Sequence, residues 1–168
     1  MTASIPIAAI TEKLRRLLER ELGDRLAGIK VTVRPPDKAR EAGTGRQVNI
    51  YLFSISEDPG LRNARLGTLV GPPPLALTLH YLVTAYGEDE SGSETDSYAV
   101  LDAALAVLHG GVRIPLAGSE FDNMGRYVSV ARVGMPTDEL CRLWTAFQTP
   151  YRLSLVYELA VISGGVAS

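Results

Sequence analysis

The chain has 168 residues, of which 46% are hydrophobic and 21% charged, enough apolar material for one folded core and too much for intrinsic disorder. Its formal charge is −2, and the 17 Lys and Arg stand singly or in pairs, as in Arg15-Arg16, so no basic track invites a nucleic-acid backbone. One cysteine, Cys141, rules out an intrachain disulfide and any cysteine-based metal knuckle.

The first segment predicts an amphipathic helix over 4–22. Ile7, Ile10, Leu14, Leu17, Leu18 and Leu22 recur at helical spacing, and Glu12, Arg15, Arg16, Glu19 and Arg20 take the other side. Ser4 suits the N-cap, Pro6 the first turn, and Gly23 the end. The charges at Glu12 and Lys13 come too early for a secretory h-region, so a soluble, cytoplasmically made protein is expected. A short β-rich stretch at 29–34 is stopped by Pro35-Pro36. Residues 37–46 are charged and aperiodic, which predicts a mobile loop.

Residues 47–57, QVNIYLFSISE, predict a strand with apolar residues on both faces and hence a central position. Asp58-Pro59-Gly60 reads as a turn. The next strand, 75–86, puts Leu75, Leu77, Leu79, Tyr81 and Val83 on one face and Thr78, His80, Leu82, Thr84 and Tyr86 on the other. It is interrupted by Thr78, His80 and Thr84, so neither it nor any other stretch reaches membrane-spanning length.

An acidic loop at 87–97 leads to a helix at 97–109 with Tyr98, Leu101, Leu105 and Leu108 as its stripe, ended by Gly110-Gly111. Short strands are expected at 112–116 and 126–133. Pro136-Thr137-Asp138-Glu139 opens a helix whose buried stripe is Leu140, Leu143, Trp144 and Phe147, with Thr137 as hydroxyl cap. A last strand follows at 151–163. Helices and strands mix without regular βαβ alternation, so the expected class is α+β, a mainly antiparallel sheet with helices packed on one face. We expect one domain over 1–163 and a flexible tail at 164–168.

No motif for chemistry stands out. His80 and His109 lack metal-ligand spacing, Asp89-Glu90-Ser91-Gly92 does not follow a calcium-loop order, and neither a nucleophile elbow nor a phosphate loop is present. No catalytic residue, cofactor or metal is therefore assigned. His80, beside Thr78 and Thr84 on one strand face, reads as a hydrogen-bonded scaffold residue. A hydrolase built on His80 and scattered carboxylates would need a concave pocket beside that histidine.

Taken together, VNIYLFSISEDPGLRN (48–63), PLALTLHYLVTAYG (74–87), YAVLDAALAVLHGG (98–111) and LCRLWTAFQTPYRLSLVYELAVI (140–162) follow the opening helix in a distinctive order. This succession resembles the N-terminal domain of the Pvc-type tube terminator, or cap, proteins of extracellular contractile injection systems, which are phage-tail-like particles. The resemblance implies a fold similar to phage tail terminators and a hexameric ring. That ring would close the baseplate-distal end of the inner tube and contact the last layer of sheath protein. It implies an assembly protein rather than an enzyme, with tube protein and sheath protein as partners and neither nucleic acid nor membrane. Family members often carry a further region, and nothing belonging to it is carried over.

For a ring contact the two loops at 37–46 and 87–97 are candidates, and Arg62, Asn63, Asp89 and Glu90 are the candidate interface residues. The alternative is a monomeric adaptor that binds a partner peptide at a sheet edge.

Overall fold

A computed structural model of the chain describes residues 7–57, 76–89, 93–115 and 127–162. Helix α1 (Ile7–Gly23) is followed by β1 (Lys30–Thr32), a 3-10 helix (Pro36–Ala42) and β2 (Gln47–Glu57). Then come β3 (Ala76–Tyr86), helix α2 (Thr95–His109), β4 (Arg113–Pro115), β5 (Tyr127–Val133), helix α3 (Thr137–Ala146) and β6 (Ser154–Ile162). The strands form one six-stranded sheet in the order β1-β2-β3-β6-β5-β4. Only β1 and β2 run parallel, as Lys30 to Thr32 lie beside Gln47 to Asn49, and the other ladders are antiparallel. The expected α+β class and mainly antiparallel sheet are what the chain forms.

The core is built from the 3.6-residue period of α1 meeting the two-residue period of the strands. Ile10, Leu14, Leu18 and Leu22, each four residues apart, are all buried. They join Val48 and Ile50 of β2, Leu79, Tyr81 and Val83 of β3, and Tyr157, Leu159 and Val161 of β6 in one cluster. Each such side chain contributes on the order of 1.5–3 kcal/mol from removal of apolar surface from water. Helix α1 touches β1 at one edge of the sheet and β4 at the other, and α2 packs across β2, β3 and β5 between them. The sheet therefore curls around the helices. Where α1 crosses β3, the Thr11 and Tyr81 hydroxyls meet at 2.6 Å. Burial pushes the Tyr81 phenol above its ordinary pKa and the Thr11 contact only partly offsets this.

On its solvent side α1 is held by charge. Arg15 bonds both Glu12 and Glu19, and Arg16 also reaches Glu12, at separations of three and four residues. Hydrogen bonds from Arg15 and Arg16 lower the Glu12 carboxyl to about 2.

Three expectations need correction. Residues 37–46 are not a mobile loop: Pro36 and Ala39, three residues apart, are buried beneath a 3-10 turn. The stripe of α2 is rotated, since Ser97, Val100, Leu101, Ala104, Val107 and Leu108 are buried while Tyr98 is exposed. Ten of the eleven residues at 98–108 are apolar, so hydropathy alone does not set the phase of this helix. The two long helices share one face, but α3 lies against the other. There Leu140 and Trp144 pack with Leu82 of β3 and Val156 of β6, with Leu143 and Phe147 alongside.

Smaller differences follow local chemistry. Helix α3 begins at Thr137, with Pro136 in the cap position and no side-chain cap bond, while Asp138 and Glu139 occupy the positive first turn as expected. Tyr151 and Leu153 are exposed and precede the paired part of β6. Ser4, Pro6 and the 58–60 turn lie outside the described residues. Among the described residues no helix is long and apolar enough to cross a membrane.

The stability test follows from the α1 line. Leu18→Ala should cost about 2–5 kcal/mol in a denaturant titration, the range for a large cavity in a packed core. Tyr98→Ala, placed on the stripe by hydropathy but exposed in the fold, should cost less than about 1 kcal/mol.

Candidate assembly surfaces

The upper end of the outer sheet face, where α3 packs, is polar and buried. Gln47, Asn49 and Thr84 are each 1% exposed. Gln47 Nε2 donates to Thr32 Oγ1 at 2.6 Å and to the Ala39 carbonyl at 2.8 Å, which fastens the 3-10 helix over the sheet. Gly43 and Gly45, with φ of 111° and 103°, turn the chain from that helix into β2 in a region costly for any side chain. Asn49 does the reverse job on β1. Its Oδ1 accepts from Thr32 Oγ1 at 2.7 Å and from the Arg34 N–H at 3.1 Å, and its Nδ2 donates to the Arg34 carbonyl at 2.9 Å. A side-chain amide thus replaces the next ladder partner, and Pro35-Pro36 lead the chain away from β2.

Tyr86 ends β3 beneath two guanidinium groups, Arg40 at 5.2 Å and Arg152 at 4.3 Å from its ring centre. Arg40 also donates to the carbonyls of Gly45 and Gly87 and to Gln47 Oε1. Arg152 bonds the Ala85 carbonyl and lies 3.5 Å from Glu94. Trp144 Nε1 donates to Ser154 Oγ at 3.0 Å, and that hydroxyl donates to the Arg152 carbonyl, tying α3 to the start of β6.

Two grooves open beside this framework. One, of about 350 Å³, is lined by Ala8, Thr11 and Glu12 of α1, by residues 33–35 after β1 including the charged Arg34, and by Tyr51 and Leu52 of β2. The other, of similar volume, lies between the start of α2 and residues 151–153, with Tyr98, Tyr151 and Leu153 exposed and Arg152 at its floor. Sequence reading missed both. Tyr151 and Leu153 fit the alternation of a buried strand, but among the described residues the ladder ends where Ser154 pairs with Thr84.

Of the candidate interface residues, Asp89 is exposed just past β3, and Arg62, Asn63 and Glu90 lie outside the described residues. The acidic connection nevertheless has an anchor. Asp96 Oδ2 accepts the Glu88 N–H at 2.6 Å, and Oδ1 accepts from Arg46 Nη2 at 2.9 Å and Nε at 3.1 Å. The Arg46 bonds, then the Glu88 N–H, hold the Asp96 carboxyl below the usual aspartate range.

His80 is placed otherwise than expected. It lies opposite Glu158 of β6 and Ser54 of β2, with Nε2 3.8 Å from Glu158 Oε2, and its Nδ1 is buried without a partner among the described residues. Thr78 and Thr84 share its strand face, two and four residues along, but the expected hydrogen bond to the ring Nδ1 is not formed. Neither groove is lined by His80, and among the described residues no cluster of three potential metal ligands occurs. Cys141 is exposed on α3.

Two outcomes test this framework. Asn49→Ala leaves the Arg34 N–H and carbonyl and the Thr32 hydroxyl without their partner, and should cost about 1–3 kcal/mol by denaturant titration. The folded-state pKa of Asp96 is depressed, so its contribution is present above the unfolded aspartate pKa and lost as pH falls through the folded value. By NMR the Asp96 carboxyl should titrate below the usual range, and Arg46→Met should move it upward and speed exchange of the Glu88 amide.

Comparison with known proteins places this fold. The family model described as the Pvc16 N-terminal domain matches residues 9–164. Among solved structures, the chain is similar to the sheath/tube terminator of an extracellular contractile injection system, PVC, in its extended state. The TM-score is 0.66 at 18% identity, covering 99% of this chain and 59% of that one. It is similar also to the tube-terminating cap of the anti-feeding prophage, with a TM-score of 0.66 at 17% identity, covering 99% of this chain and 58% of that one. The chain thus spans just under three fifths of the length of these two structures. No curated protein matches it. With the match extending across nearly all of its length, the chain belongs to the Pvc16 N-terminal domain family.

Proposed function

We propose that this chain is a terminator subunit of a contractile injection system, closing the baseplate-distal end of the inner tube as a ring and meeting the terminal layer of sheath. The observation that carries the reading is the family match over residues 9–164 together with a shared fold over 99% of the chain with a sheath/tube terminator. The ring is hexameric, its partners are the tube and sheath proteins, and it assembles in the cytoplasm as part of a phage-tail-like particle.

The physical task is to stop a polymer. A terminator must offer one face that a tube ring accepts and another that no further ring accepts. A ring of identical subunits also needs two different complementary patches on each protomer, since head-to-tail contacts close only by rotation. The two grooves lie on different parts of the fold, one beside α1 and β2 and one beside α2 and residues 151–153. Each combines apolar side chains with a few polar groups, the composition of a surface that is covered in an assembly. None of this work requires a catalytic group.

Removing the protein from a particle-producing cell tests the reading. Tubes should lose their fixed length and sheaths should become unstable at the end away from the baseplate. Particles of unchanged length and stability would contradict it.

A further inference from the structure

We draw no further inference here: the strongest candidate, the groove between the start of α2 and residues 151–153 with Tyr98, Tyr151 and Leu153 exposed around it, is an unpartnered apolar surface, and nothing in the structure shows what covers it.

Discussion

The line of Ile10, Leu14, Leu18 and Leu22 along α1 is the constraint from which the rest of the fold follows. The six-stranded sheet wraps this helix, so that α1 touches β1 at one edge and β4 at the other. Burying that line therefore curls the sheet, and curling divides its two faces into different environments. The inner face is almost wholly apolar and is filled by α1 and α2. Among the described residues the outer face is covered at its upper end, by the 3-10 helix and α3, with buried Gln47, Asn49 and Thr84 beneath them.

That division positions both grooves. Polar side chains, not hydrophobic ones, decide where the chain leaves the sheet: Asn49 detaches the backbone after β1, and Arg40 and Arg152 clamp the end of β3 through Tyr86. Buried amides of this kind contribute little net free energy when satisfied but cost much when left unpaired, so they enforce one geometry. The grooves beside α1 and beside α2 are by-products of these departures. A capping ring needs such fixed, non-repeating features, because its contacts differ on each side.

Much of the architecture was legible in the residues, and the misses have physical causes. Strand β2 was read at its observed bounds, and α1, β3 and the short strands came within a few residues, because hydrophobic period and the Gly and Pro stops agree there. The 3-10 helix was taken for a loop because its signal is a single pair, Pro36 and Ala39, at a spacing of three in a charged segment. Helix α2 was phased wrongly because its apolar residues nearly encircle it. The central position expected for β2 holds only in its upper half; residues 54–57 are exposed. Pro35-Pro36 showed that β1 is short, but that β2 runs well beyond it follows only when the lengths of the two strands are set side by side. The grooves were the least legible part, because segments distant in sequence define them and no local pattern reports that. Arg62 and Asn63 lie outside the described residues.

The central claim is that this domain ends a tube, and electron microscopy of the purified chain mixed with sheared inner tubes tests it most directly. A closed ring seated on one end only of each tube, with the shaft bare, is the result expected. A chain that remains monomeric and leaves both ends empty, or that binds along the shaft as readily as at its end, would contradict the account.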